Sequence, residues 1–200
     1  MRNIRLHLLW AALAVNGLVR VSSGEEQPVV HDPSVHIGAG LKKELIAGIT
    51  EADFLKLGGK PGTVKLTLIT AFTEANSWMN FNGYSHGNAI YTIPVGWTVE
   101  VTFINPSPSP HSAIVVDREM VRKVQVGPPA FEGASTPNPG TGMSTSKAAF
   151  TFTASELGEY AITCGIPTHA TAGHWVALNV SAEATIPTLA LGDAPPREAR

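Results

Sequence analysis

The sequence predicts an all-β fold, a sandwich or barrel, on three observations. Short stretches of alternating apolar and polar residues recur from Gly62 onward. Chain breakers are plentiful, with 19 Gly and 15 Pro in 200 residues. Charged residues make up only 15%, so the charged runs that favour helices are scarce. The length suits one domain with a sizeable core.

In chain order, Met1-Arg2-Asn3-Ile4-Arg5 is a basic start, and Leu6 to Val19 is an apolar run of signal-peptide length. A signal peptide over residues 1–23, cut after Ser23, is expected to send the protein to the periplasm or the cell exterior. The rival is an uncleaved anchor, the one route to membrane contact. Asn16 and Arg20 interrupt the apolar run and favour cleavage. Removing residues 1–23 takes away Arg2, Arg5 and Arg20 and no acid. Acidic residues are then in excess and no basic cluster remains, so nucleic acid is not an expected partner.

Residues 24–61 read as an extension that is helical in part, with Leu45, Ile46, Ile49, Phe54 and Leu57 as its apolar positions and Thr50 or Asp53 as a cap. Strands are expected at Val64 to Thr70, Ala89 to Ile93, Thr98 to Ile104, His111 to Val116, Ala148 to Thr153, Gly158 to Thr163 and Trp175 to Val180. In the first of these, Val64, Leu66, Leu68 and Thr70 share one face. Between them, Gly127 to Ser146 holds four Gly and four Pro in twenty residues. A loop so long and so rich in breakers is expected to be functional or mobile. The domain proper runs over 62–181, and 182–200 reads as a flexible tail.

One stretch carries chemistry: CGIPTHATAGHW, Cys164 to Trp175, with the only cysteine and two of the seven histidines in a Cys-x4-His-x4-His string. Cys164 ends one strand and His174 precedes the next. The loop between them has Gly165, Pro167 and Gly173 to fold it back and His169 near its middle. His111, which follows the stiff Pro106-Ser107-Pro108-Ser109-Pro110 segment, is the natural fourth member. One thiolate with imidazoles and a weak further ligand is a set that copper favours. Zinc also accepts one cysteine with three histidines. A metal-free reading makes Cys164 a nucleophile with His169 or His174 as its base, but no third residue to orient the base is visible. A protein of this kind is expected not to be an enzyme. His31, His36 and His86 fall in polar or turn segments and read as solvated.

Three stretches also resemble a known family: FNGYSHGNAIYTIPVGWTVEVTFIN at Phe81 to Asn105, PSPHSAIVVD at Pro108 to Asp117, and GEYAITCGIPTHATAGHWVALNV at Gly158 to Val180. Together the chain resembles a cupredoxin of the sulfocyanin and rusticyanin-like kind over residues 62–181. The resemblance implies a Greek-key β-sandwich and one copper ion per chain. It also implies His111 as first imidazole ligand, Cys164 as thiolate and His169 as second imidazole, with the Ser112 hydroxyl bridging the two ligand loops. Where the family pattern has an axial Met, with four residues between it and the second His, this chain has His174. Met79, Met120 and Met143 are substitutes in principle, Met143 the least remote. The implied function is single-electron transfer, with redox proteins docking near His169 on a patch made by Ile166, Pro167, Ala170 and Ala172. The strong imidazole raises an alternative, a green or red copper site that binds or reacts with a small molecule such as nitric oxide.

Overall fold

The computed structural model describes residues 40–200; the expected signal peptide, His31 and His36 lie outside them. Among the described residues, ten strands form two sheets. The first has the order β1 (Leu55–Leu57), β2 (Thr63–Ile69), β4 (Thr98–Asn105), β6 (Ser146–Thr153). The second has β10 (Arg197–Glu198), β9 (Thr188–Leu191), β3 (Ala89–Pro94), β8 (Trp175–Ser181), β7 (Gly158–Thr163), β5 (Ile114–Asp117). The chain passes between the sheets at each step from β2 to β7. Neighbours β2 and β4 are parallel, as are β3 and β8, while the other pairs are antiparallel. This is the expected Greek-key β-sandwich.

Alternation explains the core. Val64, Leu66 and Leu68 of β2 and Val99, Val101 and Phe103 of β4 point inward and are buried. They meet Tyr91, Ile93, Ile162, Val176 and Leu178 of the other sheet in one cluster. Each fully buried Leu, Ile or Phe contributes about 1.5–3 kcal/mol.

Three expectations need correction. Among its described residues, 40–61, the extension has no α-helix: the helical parts there are single 3-10 turns at Lys43–Leu45 and Glu51–Asp53. The residues after them add strand β1, and Phe54 and Leu55 join the core. The segment 182–200 is not a loose tail, because it supplies β9 and β10 and buries Leu189 and Ala199. Its Ala- and Pro-rich composition conceals two short strands whose backbone groups have partners, including the Leu57 N–H donated to the Arg200 carbonyl. The 127–145 segment is no free loop either. It lies along the open edge of β5, with Ala130 N–H on the Val115 carbonyl, Val115 N–H on Ala134, and Thr136 N–H on Ala113. Phe131 anchors it by stacking on Phe152 at 5.4 Å. An edge that would otherwise offer unpaired backbone is thus covered, and the far end of the segment is delivered to His111.

Candidate metal centre

Each member of the cluster is placed by backbone bonds. His111 does not open β5, which starts three residues later; it sits in an isolated bridge with Met143. Its N–H donates to the Met143 carbonyl at 3.1 Å and its own carbonyl accepts from Met143 N–H at 2.9 Å. Asn105 tightens this corner, its Nδ2 donating to the carbonyls of Ser109 and Met143. Gly142 allows the close approach: at φ +69° its missing Cβ would stand 2.8 Å from the His111 carbonyl oxygen, and only glycine takes that backbone angle freely.

Cys164 follows the last residue of β7, and its N–H donates to the His174 carbonyl at 3.1 Å. Between them the chain turns tightly, with His169 N–H on the Ile166 carbonyl and His174 N–H on the His169 carbonyl. The hairpin of β7 and β8 therefore carries three of the four side chains, as the spacing suggested. The loop expected to fold back does so.

The four side chains converge. One donor atom from each of His111, Cys164, His169 and His174 lies within 4.8 Å of all the others. The ring of His111 is 5.3 Å from that of His169 and 4.9 Å from that of His174. Cys164 and His174 are fully buried, His111 is 2% exposed, and His169 is half-buried. Both nitrogens of His111, Nδ1 of His169 and Nδ1 of His174 are buried without a hydrogen-bond partner among the described residues. Unpaired buried polar atoms are costly and rare, and three rings that carry them, converging with a thiol, fit a metal ion. Among the described residues no carboxylate joins the group, so hard oxygen-seeking cations do not suit it; one sulfur and three imidazoles suit copper or zinc.

Burial sets the protonation. It pushes His111 down to about 3, helped by the neighbouring His169. It drives His174 well below the usual histidine range, with His111 and His169 adding to the effect, and it lowers His169. The imidazoles are thus neutral and their lone pairs face little competition from protons. Burial also pushes the Cys164 thiol up, against hydrogen bonds from the Ile166 backbone and from Ser112. A metal must displace that proton.

Ser112 bridges the ligand loops as anticipated. Its hydroxyl accepts from Gly165 N–H at 2.9 Å and lies 2.7 Å from the Pro139 carbonyl and 3.6 Å from Cys164 Sγ. A hydroxyl has one proton, and the short contact to Pro139 takes it, so the link to sulfur is the weaker one. The patch around His169 differs from expectation in one residue. Ala170 turns inward and packs with Ile114 and Val116, leaving Ile166 and Ala172 half-buried and Pro167 exposed. Val124 joins them unforeseen: it is 62% exposed, and its carbonyl accepts from Thr168 N–H at 2.8 Å. Of the methionines weighed, Met143 pairs with His111, while Met120 packs beside Trp175 on a separate apolar cluster. Sequence reasoning does not single out Thr70, although it continues the alternation of Val64, Leu66 and Leu68 just past the end of β2; its hydroxyl is 3.0 Å from His174 Nε2.

The family model described as the sulfocyanin (SoxE) domain matches residues 51–190, well over half of the chain. Sulfocyanin from Sulfolobus acidocaldarius is 31% identical over 133 residues, 62% of this chain and 67% of that protein. Among solved structures, rusticyanin from Thiobacillus ferrooxidans is 26% identical with a TM-score of 0.40, covering 66% of this chain and 88% of its own. Auracyanin A, a "blue" copper protein from Chloroflexus aurantiacus, is 21% identical with a TM-score of 0.42, covering 60% and 99%.

Proposed function

The chain belongs to the sulfocyanin family of cupredoxins and has one copper site, and from that premise we propose that it relays single electrons between redox partners outside the cytoplasm. In this reading His111, Cys164, His169 and His174 are the ligands. The observation that carries it is the convergence of one donor atom from each of three histidines and one buried thiol within 4.8 Å of one another, with buried nitrogens on all three rings that have no hydrogen-bond partner among the described residues. Bound there, copper supplies a one-electron couple between its cuprous and cupric states.

The chain's own part is to hold the donors still. Cys164 supplies the anionic sulfur that anchors the ion in either state, and the neutral imidazoles add no charge to be solvated. Every ligand backbone is tied by hydrogen bonds, and Ser112 locks the two ligand loops together. Little structure is left to rearrange when the charge changes. Burial keeps water from the donors. If all four donors held the ion, they would leave no position for a small molecule, which favours electron relay over the binding of one.

His169 is the exit. It is the half-buried member of the set; Ile166 and Pro167 share its loop, and exposed Val124 is joined to that loop by the Thr168 N–H. A partner docks there through a small, transient interface, bringing its own centre close to the imidazole edge. Export by the N-terminal segment fits this role.

Metal analysis and an absorption spectrum of the oxidised protein test the reading. It expects one copper per chain and a strong visible thiolate-to-copper band that Cys164→Ser abolishes. Stoichiometric zinc without a visible band, after loading with copper and zinc together, would refute it.

A further inference from the structure

His174 is the one imidazole of the cluster whose second nitrogen is seen to be held by a side chain. Its Nε2 lies 3.0 Å from Thr70 Oγ1, and the Asn80 backbone makes a further hydrogen-bonding contact with this ring, while neither nitrogen of His111 has a partner among the described residues. Thr70 follows the end of β2 on the opposite sheet, distant in sequence from His174. It is itself immobilised: its N–H donates to the Ile104 carbonyl at 3.0 Å and it bridges to Phe81. On either side, Asn82 N–H donates to the Ile69 carbonyl and Ala71 N–H to the Asn80 carbonyl. The Asn82 side chain adds two more ties, accepting from Ile69 N–H and donating to the Thr67 carbonyl.

The rest of the surroundings hold the ring at that hydroxyl. Phe81 covers it, ring centres 4.5 Å apart. His86 N–H grips the Gly173 carbonyl and Gly87 N–H the Trp175 carbonyl, so both flanking residues are pinned. The His174 carbonyl accepts from Thr163 Oγ1 as well as from Cys164 N–H. Turning the ring over would take Nε2 away from Thr70 and leave a buried nitrogen without a partner on each side.

We propose that Thr70 is the positioning residue that makes His174 a copper ligand, by taking the Nε2 proton in a hydrogen bond so that Nδ1 presents its lone pair to the cluster. The inference rests on the copper reading above and adds to it the atom used and the device that fixes it. The logic is that of a ligating histidine whose other nitrogen needs a hydrogen-bond partner to set tautomer and orientation. Here the partner is a neutral hydroxyl from the facing sheet, so the fourth ligand ties the two halves of the sandwich to one ion.

The test compares copper-loaded wild type with Thr70→Val, Thr70→Ser and His174→Ala. In the diamagnetic cuprous protein, nitrogen-15 NMR should show the His174 proton on Nε2, protected from exchange, in wild type and Thr70→Ser. Thr70→Val should bind cupric ion about 10- to 100-fold more weakly, with a shifted visible spectrum and a raised reduction potential. Thr70→Ser should restore both. A His174 ring with its proton on Nδ1 overturns the proposal even where a variant fails to fold. So does a Thr70→Val protein with the wild-type affinity, spectrum and potential while His174→Ala differs in them. If His174→Ala is itself indistinguishable from wild type, His174 is not a ligand, and both this proposal and that part of the ligand assignment fall.

Discussion

Replacing Ser112 by alanine removes a single oxygen from a fully buried position, and the structure gives the consequence. Two groups lose their partner: the Gly165 N–H, held at 2.9 Å, and the Pro139 carbonyl, held at 2.7 Å. Gly165 is buried, and the space left by one oxygen is too small to admit a water, so its N–H stays unpaired at a cost of about 1–3 kcal/mol. Pro139 is half-buried and its carbonyl can turn to solvent, so it adds little. For a chain of this size about 1 kcal/mol moves the melting temperature by roughly 2–4 °C. The metal-free Ser112→Ala protein should therefore melt roughly 2–12 °C below wild type in a calorimetric scan. The loops that carry Cys164 and His111 would also lose their shared bridge, and copper affinity should fall by about 10- to 100-fold. A metal-free variant that melts with the wild type would refute the claim that this hydroxyl joins the two loops.

His174→Met should raise the reduction potential, since a thioether donates less to the cupric ion than an imidazole does; an unchanged potential by protein-film voltammetry contradicts a bound His174. Gly142→Ala puts a Cβ 2.8 Å from the His111 carbonyl at φ +69° and should cost about 1–3 kcal/mol in denaturant unfolding; wild-type stability would contradict the close approach. Val124→Glu should slow electron self-exchange, measured by NMR line broadening, at least about tenfold by placing like charges face to face, with the spectrum intact. Equal rates would remove Val124 from the docking surface. Asp53 is held at about 2 by Lys56 and then by the backbone and hydroxyl of Thr50. Because its folded value lies below the unfolded one, its contribution to stability is present above the ordinary aspartate range and is lost as pH falls through about 2. A carbon-13 titration should find that low midpoint in wild type and a higher one in Lys56→Met; equal midpoints contradict the pairing.

The strands are legible where one face is buried and the other is wet. Val64, Leu66 and Leu68, and Val99, Val101 and Phe103, write a period of two that no helix shares. Strands β9 and β10 are not legible, since four residues and two residues leave too few alternations to show, and their order comes from neighbours far away in sequence. Cys164, His169 and His174 can be grouped because one hairpin carries them. His111 can be added because a proline-rich segment precedes it, although what holds it is Met143, far along the chain, rather than a strand. Thr70 is the available clue that goes unused. A threonine in register with Val64, Leu66 and Leu68 is a polar group aimed into an apolar interior, and such a group requires a partner. The inward turn of Ala170 has no signal in sequence, because alanine serves equally on either side of a loop.

X-ray absorption at the copper edge of the oxidised full-length protein tests the coordination most directly. One short sulfur contact and three imidazoles of ordinary nitrogen distance are expected. A second sulfur in the shell, or only two imidazoles, would contradict the ligand set of His111, Cys164, His169 and His174.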